Sequence, residues 1–176
     1  PIAYGLDSSF TIDDLFVKGF SLKSEDETIL VTPPKSQIKT EDKAIDQFML
    51  ICPDGFDNWI LATLMFKANT SYRNAYSFVS KNYGEGLSKE NAEFFAKHYS
   101  SDMSEDVLVA KMLSGDLSNY LMKAMVAEML NEIIEDENIR NMNMWITDDL
   151  YIFTVDSSNT EGPAAIFFRT ALIKDY

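Results

Sequence analysis

Cysteine and histidine are almost missing from this chain, which has one of each, Cys52 and His98. A lone cysteine excludes an intramolecular disulfide framework and any all-cysteine metal site. A free thiol suits a reducing compartment, most simply the cytoplasm. Basic residues are scarce as well, 15 against 28 acidic ones, for a net charge of −13. The nearest approach to a basic stripe, Lys18, Lys23, Lys35 and Lys39, is broken up by Glu25, Asp26 and Glu27. Direct contact with nucleic acid is therefore not expected. No apolar run approaches the roughly 18–20 residues that span a bilayer, and no signal-peptide pattern opens the chain. The expectation is a soluble cytoplasmic protein without a membrane partner. The Asn69-Thr70-Ser71 triplet matches a glycosylation acceptor, but that pattern is common by chance and nothing else points to secretion.

Catalytic signatures are missing too. No Gly-x-Ser-x-Gly elbow marks a nucleophile, and no Gly-x-x-x-x-Gly-Lys loop offers to cradle phosphate. Gly84-Glu85-Gly86 lacks the third glycine and the preceding strand of a dinucleotide site, and reads as a helix stop. His98 stands among Phe94, Phe95 and Tyr99 and reads as a packed or surface side chain. Cys52 lies in an apolar run that favours a buried, inert thiol. Any metal site would have to be carboxylate-rich, with Asp13-Asp14, Asp148-Asp149 and Glu135–Glu137 as candidate ligands. The calcium-loop pattern is absent, and Asp148-Asp149 reads as a tight turn. The Glu41-Asp42-Lys43 triplet precedes Pro53-Asp54, the wrong order for a nuclease that needs an acid-x-Lys after it. A proline at a chain start can serve as general base, but Pro1-Ile2-Ala3 is slender evidence, and Tyr4-Gly5-Leu6-Asp7 does not continue it as one long strand. No catalytic residue, metal or cofactor is expected.

What is present is a core. Hydrophobic residues make up 46% and aromatics 12% of 176 residues, enough for one packed domain over 1–176. The first third reads as extended. Leu15–Leu22 and Thr28–Thr32 are β-rich runs joined by the hairpin-like Lys23–Glu27, and Pro33-Pro34 stops the second. Residues 35–43 read as a surface connection. Gln47–Cys52 suits a buried strand or the end of a helix. After the turn Pro53-Asp54-Gly55, a helix capped by Asp57 or Asn58 and running through about Lys67 is preferred to a strand over Trp59–Phe66.

From Thr70 the pattern is helical. Tyr72, Ala75, Tyr76, Val79 and Tyr83 share one face, and Gly84 ends that helix. Ser88 caps a second helix. Asp102 with Glu105 makes a capping box for a third, which Gly115 ends. The next helix, about 116–139, places Met122, Met125, Val126, Met129, Leu130, Ile133 and Ile134 on one face. Leu117, Tyr120, Leu121 and Ala124 make its first turns apolar on a second side. Met144–Val155 and Ala164–Ile173 are β-rich, joined by the turn-former loop 156–163. Strands at both ends with helices between predict an α+β fold. An antiparallel sheet from the N-terminal and C-terminal hairpins would pack against a central group of helices, all on one face.

The acidity is concentrated. Residues 101–137 hold nine carboxylates against Lys111 and Lys123, a net of −7 out of −13. Glu128, Glu132 and Glu135 line one helix face over about 10 Å of axis. Extended by Asp136 and Glu137, the row approaches the charge density of a nucleic-acid strand, one per about 3.4 Å. Glu135, Asp136 and Glu137 lie toward the helix C-terminus, where negative charge is mildly unfavourable. Solvating an amphipathic helix would account for the acids alone. The expectation is a non-enzymatic factor that inhibits or neutralises a protein with a basic surface, as immunity or phage anti-defence antagonists do, through Glu128, Glu132, Glu135, Asp136 and Glu137. One alternative is a structural or chaperone-like subunit using a Met-rich surface of Met122, Met125 and Met129 with Met103 and Met112 on the neighbouring helix. Another is a small enzyme using a carboxylate/metal site or Pro1.

Overall fold

A computed structural model describes residues 1–100, 104–115 and 117–169, without the side chains at 99, 100, 117, 118, 119 and 122. It builds one seven-stranded sheet in which every pairing is antiparallel. The strands are β1 (Ser21–Glu25), β2 (Thr28–Thr32), β3 (Ile45–Ile51), β4 (Leu61–Phe66), β5 (Ile139–Ile146), β6 (Leu150–Ser157) and β7 (Ala164–Arg169). Their spatial order is β1-β2-β3-β4-β7-β6-β5. The N-terminal and C-terminal groups of strands thus join through β4 and β7, across about a hundred residues. The helices are α1 (Ile12–Val17), α2 (Tyr72–Tyr83), α3 (Lys89–Ser100), α4 (Glu105–Ser114) and α5 (Leu117–Glu135).

Register fixes which side chains share a face. Leu22, Val31, Phe48, Leu64, Ala165, Thr154 and Asn143 lie side by side across all seven strands. One residue along, Lys23, Leu30, Met49, Thr63, Ile166, Phe153 and Met144 form the matching row on the opposite face. The first face is covered by the N-terminal segment and by Ala75 and Val79 of α2, giving a core that includes Ile2, Leu6, Phe10, Leu15, Trp59, Phe48, Leu50 and Leu64. Each such large apolar side chain contributes about 1.5–3 kcal/mol on burial. The second face is covered over β5–β6–β7 and the Leu61 end of β4, by Ala92 and Ala96 of α3 and Val126 and Leu130 of α5. The alanines, one helical turn apart, leave room for the bulkier α5 side chains.

The α+β class and the antiparallel sheet agree with the sequence. Four expectations do not. The helices lie on both faces rather than one, because the strands of the C-terminal half alternate apolar residues on both sides: Ile152 belongs to one cluster and Phe153 to the other. Residues 15–17 end a helix, not a strand. Thr11 and Asp14 form a reciprocal capping box (Asp14 N–H to Thr11 Oγ1 3.1 Å, Thr11 N–H to Asp14 Oδ2 2.9 Å) that outweighs the β-preference of Phe16 and Val17, both exposed. The preferred helix over 57–67 is the strand β4, since Ala62, Leu64 and Phe66 are buried in strict alternation. The last long helix stops at Glu135 instead of 139, because Ile139 already pairs with Ser157 in β5. Gly84, Gly115, Pro33 and the Ser88 cap act as read, and Ser71 caps α2 by accepting from Asn74 N–H (3.1 Å). The Asp102 half of the proposed capping box lies outside the described residues.

Candidate functional site

Helix α5 carries the acids. Its core side is narrow: Ala124, Val126, Ala127 and Leu130 are buried, with Met129, Ile133 and Ile134 packed partly against them. Glu128, Glu132 and Glu135, at spacings of four and three, are all exposed. Three charges over about 10 Å give one per about 5 Å, sparser than a phosphate strand at about 3.4 Å. Asp136 and Glu137 do not prolong the row along the axis, because the helix has ended. The Asp136 carboxylate is occupied by its own turn, accepting from Asn138 N–H (2.9 Å) and Asn138 Nδ2 (3.1 Å), so it shapes the entry into β5. Glu137 is exposed in that same turn. The nearby cation Arg140 is engaged with Asp156 (3.1 Å) and the Ser157 carbonyl (3.3 Å).

Helix α4 ends at Gly115 as its sequence predicts, but the exposure of its whole length does not follow from that sequence. Its sequence, Glu-Asp-Val-Leu-Val-Ala-Lys-Met-Leu-Ser, looks like core, yet none of its residues is buried. Val109 is 44% exposed, Met112 57% and Leu113 80%. The helix packs chiefly on α5, turning into it through Gly115 at φ +78°. Between the two lies a hollow of about 220 Å³ lined by Glu105, Leu108, Val109, Met112 and Leu121. Lys111, the one basic residue of α4, has its Nζ 5.6 Å from the centre of the Tyr120 ring on α5. One turn beyond Leu121 on α5, Met125 is 49% exposed. The outward side of α5 therefore runs from apolar (Leu121, Met125) to acidic (Glu128, Glu132, Glu135).

The other candidate centres have structural surroundings. The Cys52 thiol donates to the carbonyls of Asn58 (3.2 Å) and Phe56 (3.5 Å). Its pKa is raised, first by burial and then by Asp57, Asp54 and Glu27, the reverse of nucleophile activation. His98 is exposed in the last turn of α3. Among Asp13 and Asp14, the latter closes the α1 capping box, and Asp148-Asp149 forms the β5–β6 turn, where Asp149 N–H donates to Thr147 Oγ1 (3.2 Å). Among the described residues no three His, Cys, Asp or Glu side chains gather as a metal-binding group. Pro1 is exposed at the edge of a hollow of about 140 Å³ that also includes Lys39, Asp42, Phe78 and Lys81. Asp42, buried there, accepts from Tyr4 N–H (3.3 Å) and Lys39 N–H (2.9 Å), and holds Tyr4 at φ +51°. Among the described residues no helix is long and apolar enough to cross a membrane.

No protein-family model matches the chain, and no curated protein and no solved structure is similar to it at a significant level.

Proposed function

We propose that this chain is a protein-binding factor that neutralises a partner with a basic surface, in the manner of an immunity or anti-defence antagonist. The observation that carries the reading is the adjacency on α5 of an exposed acidic row and an exposed apolar patch shared with α4. Either alone has an ordinary explanation: acids solvate a helix, and single exposed apolar residues are common. Together they have the composition of an interface, an apolar centre beside a charged margin. The margin supplies steering and orientation, and the centre supplies affinity.

The structural-subunit alternative uses the same surface. The exposure of Met112 and Met125 favours it, since thioether side chains adapt to varied partners. Both readings exclude direct contact with nucleic acid and assign no cofactor.

The test is capture of partners from the native host by the wild-type chain and by Glu128→Lys/Glu132→Lys/Glu135→Lys, at low and high salt. A basic protein retained at low salt, released at high salt and lost by the variant is the expected outcome. Retention unchanged by salt and by the variant would remove the electrostatic reading and leave the apolar one.

A further inference from the structure

We infer that the partner docks through a basic amphipathic helix, whose apolar side chains enter the α4–α5 hollow while its lysines or arginines follow Glu128, Glu132 and Glu135. This rests on the protein-binding reading and names the chemistry of the partner. The hollow lies between two helices and is apolar apart from Glu105, so it suits the side chains of a third helix laid against them. Its volume, about 220 Å³, suits one or two aliphatic side chains rather than a whole aromatic-rich segment.

Charge complementarity selects a basic occupant. Glu105 and Asp106 stand exposed at the start of α4, and Glu128, Glu132 and Glu135 stand exposed along α5. The lysine of α4 is directed at the Tyr120 ring. A second copy of this chain would bring the same acids and a net charge of −13 against them. Spacing supports a helix as well. Leu121 precedes Glu128 by two turns, about 10 Å of axis, so an occupant lying along α5 needs its first basic residue about seven positions from its apolar anchor.

The test uses the whole chain and two labelled peptides of about 18 residues, both made of leucine and lysine. One has leucines at i, i+3, i+4 and i+7, and the other has the same composition scrambled. Fluorescence anisotropy should show the patterned peptide binding about tenfold or more tightly than the scrambled one. Val109→Asp/Met112→Asp should abolish that difference while leaving the weaker, salt-sensitive binding of both. Both positions are exposed, so circular dichroism should be unchanged. Val109→Asp alone, which also lines the hollow, is the second variant if it is not.

Equal affinities for the two peptides, unaffected by the α4 changes but reduced by Glu128→Lys/Glu132→Lys/Glu135→Lys, would overturn the inference and spare the acidic-surface reading. Binding insensitive to that triple change would overturn both. Concentration-dependent dimerisation in sedimentation velocity, abolished by Val109→Asp/Met112→Asp, would also overturn the inference, since a second copy would then be the occupant.

Discussion

The two faces of the sheet are finished differently. On the first, the N-terminal segment and α2 close over the strands, and even the polar groups are matched. The Tyr72 hydroxyl donates to Asn143 Oδ1 (2.5 Å) and lies 2.9 Å from Thr154 Oγ1, which is fully buried. On the second, α3 and α5 cover β5–β6–β7 and the Leu61 end of β4. Over β1–β3 the sheet stays open as a hollow of about 400 Å³ lined by Lys23, Glu25, Asp26, Thr28, Leu30, Gln47 and Met49. The helical layer on this side also carries α4, with no buried residue, and the acids of α5. Stability is concentrated where the layers close over the apolar groups, and recognition is to be sought where apolar groups stay exposed.

The largest effect should come from the closed face. Trp59 is fully buried, stacks on Phe10 at 4.7 Å between ring centres and donates Nε1–H to the Phe10 carbonyl (2.9 Å). The Arg169 guanidinium carbon lies 4.0 Å from the centre of the Trp59 ring. Trp59→Ala should cost about 3–5 kcal/mol in urea unfolding, whereas Met125→Ala on the open side should stay within about 0.5 kcal/mol. Comparable losses at both would erase the contrast.

Next comes Gly162, which leads into β7. A Cβ there would stand 2.3 Å from the Phe66 carbonyl oxygen and 2.7 Å from that of Lys67, both backbone atoms. Gly162→Ala should destabilise by about 1–3 kcal/mol, because the strand pairing of β4 with β7 must shift to admit it.

Tyr72→Phe removes the hydroxyl from Asn143 and Thr154 and should cost about 1–2 kcal/mol. Burial raises the Tyr72 pKa to about 12, and that of Tyr4 and Tyr83 likewise. A phenol whose folded pKa exceeds its unfolded value, about 10, holds its proton more tightly when folded. The stabilisation is complete below about pH 10 and is lost as the pH rises toward 12. Unfolding followed across that window should show falling stability, with a shallower fall in Tyr72→Phe.

The smallest effect should have the opposite sign. Glu128→Lys/Glu132→Lys/Glu135→Lys replaces acids near a helix C-terminus and should raise stability by a few tenths of a kcal/mol. Thermal unfolding checks it. A marked loss would mean that the row has a structural role.

Much of this contrast was legible in the residues, for identifiable reasons. Local signals worked where one short-range interaction decides: Gly84 for α2, the Ser88 cap of α3, Pro33 after β2, and the apolar spacing that puts Val126 and Leu130 inward. They failed where a distant partner decides. Leu61–Phe66 is a central strand only because Ile45–Ile51 and Ala164–Arg169 flank it. The capping box at Thr11–Asp14 was present as a signal, but the β-like Phe16-Val17 obscured it. Of the acidic residues, Glu128, Glu132 and Glu135 were recognisable from periodicity. The engagement of Asp136 in its turn depends on where the helix stops, and that depends on β5. The exposure of α4 could not be read from composition, since an apolar helix in the core and one at the surface have the same sequence.

The most direct test of the division between the two faces is hydrogen–deuterium exchange of the whole chain with and without its captured basic partner. Protection confined to α4 and the solvent-facing part of α5, with α2 and β1–β3 unchanged, is the predicted result. Protection centred on the open hollow over β1–β3, with α4 and α5 unaffected, would contradict it.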